Sequence, residues 1–366
     1  LRSFTKALPL RLKEKLWIPQ LIRSELSYDG PILFADHHIS HAASAFLVSP
    51  FERAAILTID GVGEWETTTW GTGEGTDIQL NRRIHFPHSL GLLYSAFTYY
   101  LGFRVNSAEY KVMGLAPFGK PVYADLIRRE LVRIREDGSF KINMKYFAYD
   151  YGLTMTNGLF DGLFGRPPRK PETPLDDFHK DVAASIQAIT DEIMVKAAQH
   201  IYDVTRETNL CMAGGVALNC VSNSKIREQT PFKNLFIQPA AGDAGGALGV
   251  AFYVWNTLLG NARTFRMEHA SWGPSFTDEE IGEYLLGLGV KYRKPEYEDL
   301  LRETAKAIAD QNVVGWFQGR MEWGPRSLGN RSILADARNP ENQSRVNLKI
   351  KFRESFRPFA PSVLLE

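Results

Sequence analysis

From residue 205 onward the chain repeats one short pattern: an apolar strand, a glycine-rich turn, then a helix. NLCMAG leads into a helix from Val216, and LFIQP into a helix from Ala244. Parallel neighbours need a crossover, which a helix supplies, so this alternation predicts an α/β layer with a largely parallel sheet. Upstream, RAAILTID (53–60) and TTTWGTGEG are β-branched arms on either side of GVGEW, which predicts a hairpin. A short strand, PILFA, ends near Asp36, and Ser40 to Val48 suits a helix. Ser89 to Leu101 predicts a buried aromatic helix, and His179 to Thr205 a long amphipathic one. Residues 160–176, dense in proline, glycine and charge, predict a loop. The first thirty residues carry a basic helical segment.

A capping box at Thr277 opens a further helix, and from about residue 295 a new unit begins. It reads as a helix over 298–310, a strand NVVGWFQG and a basic segment. A length of 366 residues favours two domains. The net charge of +1 offers no broad basic field for a nucleic acid. The two cysteines, Cys211 and Cys220, form no CxxC pattern, so a reducing cytoplasm is expected. No apolar run reaches the roughly 18 residues of a membrane span, and nothing at the start reads as a signal peptide. A start at Leu1 and an apolar end, PFAPSVLLE, lead us to expect a fragment cut at both ends.

ADHHISHAASAF (35–46) holds three of the eight histidines. His37 and His41 are four apart, so on a helix they share a face and can grip one metal ion, while His38 points elsewhere. The zincin motif is excluded, because His38 stands where its general-base Glu would be. A solvated helix start capped by Asp36 accounts for the same residues. Asp60 ends an apolar strand and enters Gly61-Val62-Gly63, where glycine amides can face an anion; an ordinary turn Asp is the plainer reading. CMAGGVALN (211–219) and AGDAGGALG (241–249) have a strand–glycine–helix shape suited to phosphate, although Asp243 also reads as an N-cap. Neither matches a dinucleotide fingerprint or a P-loop. Glu109 and Lys111, in NSAEYKVMGLAPFG (106–119), suit ribose or phosphate contact, or a surface ion pair. GRMEWGPRSLGNRS carries Arg320, Arg326 and Arg331, and KIKFRESFRPFAP carries Lys351, Arg353 and Arg357 alternating with aromatics. The alternation predicts a strand with one basic face, and the arginines suit phosphate or carboxylate.

Together, DHHISHAASAF, LTIDGVGEWETTT, NSAEYKVMGLAPFG, CMAGGVALN, PAAGDAGGALG, GRMEWGPRSLGNRSILAD and KFRESFRPFAP resemble the carbamoyltransferases of the NodU/CmcH type. That family includes nodulation, cephamycin and aminoglycoside O-carbamoyltransferases. The resemblance implies an α/β fold in two parts. Residues 1–292 would be a Kae1-like domain of the actin/Hsp70/sugar-kinase superfamily, and 293–366 the start of a YrdC-like domain. It implies ATP and carbamoyl phosphate as substrates, joined into carbamoyl adenylate in the YrdC-like part. The Kae1-like part would then pass the carbamoyl group to an acceptor hydroxyl at a divalent metal. By the same resemblance the metal ligands fall on His37, His41, Asp60 and Asp243, with Fe(II) the leading expectation and Mn or Zn alternatives. Gly214, Gly215 and Asn219 match a loop near the adenosine, with Gly61, Gly63, Gly242, Glu109 and Lys111 also expected at bound substrate. Arg326, Lys351 and Arg357 match basic groups that hold phosphates.

The acceptor implied is a small hydroxylated molecule: a sugar, an aminoglycoside or another secondary metabolite. No nucleic-acid or membrane partner is expected, and a homodimer is one option. The family's initial HDASA-like stretch and following EER are absent from this sequence, and most of a YrdC-like domain would lie past Glu366. Two other readings keep the fold: threonylcarbamoyl transfer to tRNA, and a non-enzymatic ATP-binding module. The fused basic segment and the low net charge speak against the first, and the four convergent metal-type residues against the second.

Overall fold

The computed structural model describes residues 8, 9, 12, 13 and 15–364. Part of the expected basic N-terminal helix, residues 1–7, 10, 11 and 14, lies outside the described residues, as do 365 and 366. Within that segment Ile18–Leu26 forms α1. The chain divides into two compact units, Leu1–Arg266 and Met267–Glu366.

The first unit is built on a mixed sheet. Its strands are β1 (Arg53–Gly63), β2 (Glu66–Glu74), β3 (Asp77–His85), β6 (Asn209–Ala213) and β7 (Asn234–Phe236), in the order β3-β2-β1-β6-β7. The fold is α/β, as expected, but the sheet is not largely parallel. β1–β2 and β2–β3 pair antiparallel, while β1–β6 and β6–β7 pair parallel. The difference is β3: the expected hairpin continues into a third strand through a tight reversal at Gly75, whose φ of +57° suits glycine. β1 is central, and Ala54 to Asp60 are buried without a break, as a strand covered on both faces requires.

One face of β1, with Ala54 and Ile56, packs under α2 (His37–Phe46) together with Cys211 and Ala213. α2 is rich in small residues, and Ala42, Ala43, Ala45 and Phe46 are fully buried. That smallness lets α9 (Gly246–Phe252) approach closely: a Cβ on Gly249 would fall 1.8 Å from the Ser40 carbonyl oxygen. The other face, with Ala55, Leu57 and Ile59, is equally buried, and α3 (Leu90–Tyr100) and α7 (Asp177–Thr205) pack against the sheet. The Arg263 guanidinium closes the C-terminal end of α2. It donates to the carbonyls of Phe46, Leu47, Ser49, Phe51 and Gly75 at 2.9–3.2 Å.

Between α3 and α7 lie α4 (Glu109–Leu115), α5 (Ala124–Glu130), the hairpin of β4 (Val132–Ile134) and β5 (Phe140–Ile142), and α6 (Gly158–Phe164). α6 overlaps the start of the expected 160–176 loop. Phe160 and Phe164, one turn apart, pack on Phe97 and Tyr100, and the Asn157 side chain caps the start. PILFA forms no strand: no neighbouring strand pairs with it, and Leu33 and Phe34 stay exposed. α2 therefore begins at His37, earlier than Ser40. The helix expected from Val216 is a tight turn, Gly215–Leu218, followed by α8 (Cys220–Gln229), and α9 is likewise preceded by the turn Asp243–Gly245.

The second unit holds α10 (Asp278–Gly287), α11 (Tyr297–Ala309), an antiparallel pair β8 (Val314–Phe317) and β9 (Arg331–Leu334), and α12 (Glu341–Arg345). Thr277 and Glu280 form the expected reciprocal cap of α10. KIKFRESFRPFAP is not a strand. α12 continues as a wide turn to Ile350, Phe352 takes a positive φ, and Pro358 and Pro361 lack the N–H a ladder needs.

Candidate metal centre

Three local features bring four side chains together. α2 begins at His37, so His37 and His41 project one turn apart, with ring centroids 4.6 Å from each other. Asp36 holds the N-cap position, but its side chain makes no capping bond. On β1 the parity that turns Ala54, Ile56 and Thr58 toward α2 continues to Asp60. There the register breaks: Ile59 pairs with Thr68 but Gly63 with Glu66, so Asp60, Gly61 and Val62 stand opposite Thr67 alone. A bulge of this kind re-aims a strand end. Asp243 comes from the turn before α9.

The ligand-type atoms of His37, His41, Asp60 and Asp243 lie within 4.8 Å of one another, a group that can hold a metal ion. His37 Nε2 is 2.9 Å from Asp60 Oδ2 and 3.4 Å from Asp243 Oδ1; His41 Nε2 is 3.3 and 3.5 Å from the same oxygens. The two Nε2 atoms are 3.0 Å apart. Two imidazole nitrogens at that distance cannot both carry hydrogens toward each other, and the ionised carboxylates carry none. A cation satisfies all four lone pairs at once. Metal–ligand bonds of about 2.0–2.2 Å place tetrahedral donors about 3.3–3.6 Å apart, and octahedral neighbours about 3 Å apart. The five edges that involve a histidine, 2.9–3.5 Å, lie close to that range, so the donor set suits a transition-type ion in chemistry and in those spacings.

Electrostatics point the same way. Hydrogen bonds to Asp243 and then Asp60 push His37 up to about 10. Burial opposes charge on His41, yet Asp243 and Asp60 outweigh it and its direction is also upward. Burial works against ionised Asp60, but His37 and His41 hold it well below the usual carboxylate range. The same two imidazoles hold Asp243 down. The pocket is built for positive charge. His38 turns the other way: its Nδ1 lies 2.6 Å from Thr58 Oγ1, and burial pushes it down to about 4, so it stays neutral.

The glycines of the loops serve the centre at close range. A Cβ on Gly63 would fall 2.1 Å from the His37 ring. Gly214, at φ +94°, would place one 2.2 Å from the Ile59 carbonyl oxygen, and its N–H donates to Ala241 at 2.8 Å. Gly215 N–H donates to Asp60 Oδ1 at 2.9 Å, leaving Oδ2 for the histidine side. Gly242 lies beside Gly215, and the Gly61 carbonyl accepts from Ser89 Oγ at 2.6 Å. The Asn219 side chain caps α8 through Ser222 N–H and pairs with Gln187. Glu109 accepts from Ser95 Oγ and Asn106 N–H, and Lys111 Nζ stands over the Phe103 ring. Arg326, Lys351 and Arg357 lie in the second unit, where partial burial, then Arg353 and Arg357, push the Lys351 ammonium down.

Two participants escaped the sequence reading. Ser89, ahead of the aromatic helix, donates to the Asp60 and Gly61 carbonyls and caps α3; its N-cap position was the available signal. The other is a cavity of about 340 Å³ beside His37, His41 and Asp243, bounded also by Phe34, Glu64 and Val250, which no local pattern announces.

Residues 1–252 match the family model described as carbamoyltransferase N-terminus, and 305–366 the one described as carbamoyltransferase C-terminus. The chain belongs to the carbamoyltransferase family. An uncharacterised Synechocystis protein is 53% identical over 380 residues, covering 100% of this chain and 62% of the relative. The nodulation protein NolNO of Sinorhizobium fredii is 38% identical over 359 residues, covering 97% of this chain and 51% of its own. The 3'-hydroxymethylcephem-O-carbamoyltransferase of Streptomyces clavuligerus is 34% identical over 162 residues, 43% of this chain and 29% of that enzyme. This carbamoyltransferase-family chain thus spans about half to three-fifths of the length of the first two relatives. Among its described residues no helix is long and apolar enough to cross a membrane.

Proposed function

We propose that this protein acts in ATP-dependent O-carbamoyl transfer in the cytoplasm. In this reading carbamoyl phosphate and ATP yield carbamoyl adenylate, and its carbamoyl group passes to a hydroxyl of a small-molecule acceptor. The observation that carries it is the convergence of His37, His41, Asp60 and Asp243 in a chain of the carbamoyltransferase family. The cephem carbamoyltransferase among the relatives supports a small hydroxylated acceptor by analogy.

The roles follow from the chemistry of each group. His37, His41, Asp60 and Asp243 would hold a divalent metal, with Fe(II) favoured over Mn or Zn. Such an ion supplies Lewis-acid polarisation of the carbamoyl carbonyl. Gly215 fixes the orientation of Asp60, and Ser89 fixes the backbone that carries it. The backbone of Gly61, Gly63, Gly214, Gly215, Asn219 and Gly242, with Glu109 and Lys111, would border the adenylate. Arg326, Lys351 and Arg357 would bind phosphates and offset charge developing during adenylation. Residues 1–292 would carry transfer as a Kae1-like domain, and 293–366 would open the YrdC-like, adenylate-forming domain.

The test uses labelled carbamoyl phosphate, ATP and a panel of hydroxylated acceptors, with metal analysis alongside. The expected result is pyrophosphate release and a labelled carbamate, with bound metal reduced at least tenfold in His41→Ala. No ATP turnover with any acceptor would sink the activity. A metal-free native protein would sink the ligand assignment.

A further inference from the structure

The cavity beside the four-residue centre has a mixed lining. Leu33, Phe34 and Val250 contribute apolar surface; His37, Asp243 and Glu64 contribute polar groups. Leu33 and Phe34 are 54% and 67% exposed, and both line this cavity. They belong to the segment that reads as a strand yet pairs with nothing, so their apolar surface is left facing the cavity.

Glu64 is the second anomaly. It sits at the tip of the β1–β2 turn with φ +59°, a conformation strained for a residue with a Cβ, immediately after a glycine. The β1 bulge that delivers Asp60 also sets this turn over the cavity. Among the described residues no ion-pair or hydrogen-bond partner occupies its carboxylate. A turn that needs φ > 0 ordinarily takes Gly or Asn, and here it carries a carboxylate into a cavity lined by metal-type ligands.

We infer that this cavity receives the acceptor: a molecule with an apolar face set against Leu33, Phe34 and Val250, presenting a hydroxyl to Glu64. This rests on the carbamoyl-transfer reading above. The acceptor oxygen forms the new bond to the carbonyl carbon of a carbamoyl–phosphate mixed anhydride, and its proton passes to the Glu64 carboxylate. The bond from that carbon to the bridging oxygen breaks, and its electron pair leaves on the phosphate. Glu64 then releases the proton to solvent.

Phenyl β-glucoside, a hydroxyl-rich ring with one flat apolar substituent, is the probe, and glucose is its control. Binding to zinc-loaded protein is measured by calorimetry, and transfer with labelled carbamoyl phosphate and ATP. Phenyl glucoside should bind about tenfold or more tightly than glucose, and Phe34→Ser should erase that advantage. Glu64→Ala should weaken binding about five- to tenfold, through loss of a hydrogen bond to a charged acceptor, with Glu64→Gln restoring much of it. Glu64→Gln should nevertheless lower kcat about 10²–10⁴-fold while KM changes little. Phe34→Ser and Glu64→Ala binding both probes as the parent does would overturn the cavity assignment. Wild-type kcat in Glu64→Gln would overturn the role in proton transfer. If the parent transfers no carbamoyl group, the function reading falls, and the binding arm still decides the cavity.

Discussion

The two units are held together by different physics. In the first, Ile56, Leu57, Phe97 and Ile186 are wholly buried, in a sheet covered on both faces. In the second, Met267 and Val346 are the buried apolar side chains among the described residues, and the other buried groups are Glu322, Asp336, Asn342 and Asn347. Glu322 accepts from Leu328 N–H, Asn330 N–H and the Arg331 guanidinium at 2.8–2.9 Å. Asp336 takes Arg338 and Gln311, and Asn347 donates to the Ser355 and Arg357 carbonyls. Tyr284, Leu286 and Tyr297 meanwhile stand more than 60% exposed. Apolar burial sets global stability, whereas short-range polar pairing orders a segment locally. The lesson is that the candidate centre is mounted on the unit that holds the buried apolar core.

Three perturbations test this contrast, the largest effect first with its matched control, then an intermediate one. Leu57→Ala should cost about 3–4 kcal/mol and lower the main unfolding transition, because a fully buried side chain leaves a cavity. Leu300→Ala, on α11 and 37% exposed, should cost less than about 1 kcal/mol. Similar losses in denaturant titrations would break the comparison. Glu322→Gln should cost about 1–3 kcal/mol, since the Arg331 guanidinium loses its charged, buried acceptor. Hydrogen exchange should place that loss in β8 and β9, with β1 amides untouched; slowed or quickened exchange in β1 would mean the units share one transition.

The smallest effect concerns the start of α7. Burial works against ionised Asp176, but Arg166 and the His179 N–H win and hold it at about 2. A depressed carboxylate contributes stability that is full above its unfolded value of 3.8 and is lost as pH falls through about 2. Amides in the first turn of α7 should therefore lose protection over that window, and Asp176→Asn should flatten the dependence. The side chain is half-exposed, so the change is modest.

How much of this was legible beforehand depends on range in sequence. His37 and His41 announce themselves because a helix brings every fourth residue to one face. Asp60 and Asp243 look like ordinary turn residues locally; their convergence depends on β1 facing α2 and on α9 docking against it, facts written across some two hundred residues. The strand–turn–helix alternation correctly gave an α/β layer. It missed β3, because DIQLNRRIH is polar and occupies the sheet edge, where alternation is weak. PILFA and KIKFRESFRPFAP misled for the same reason: apolar or alternating residues license a strand but cannot supply a partner to pair with. Glu64 was invisible, because nothing in GVGEW shows that its turn overhangs a cavity.

One earlier detail bears on traffic rather than affinity. The side chains of His41 and Asp60 are 1% and 10% exposed, His37 29%, and Asp243 75%. Three of the donors are thus fixed by helix and strand, and the fourth stands at the solvent boundary on a short turn. Were an ion held here, Asp243 would be the donor most open to solvent, and Asp243→Ala would be expected to change the rate of metal exchange more than His41→Ala does.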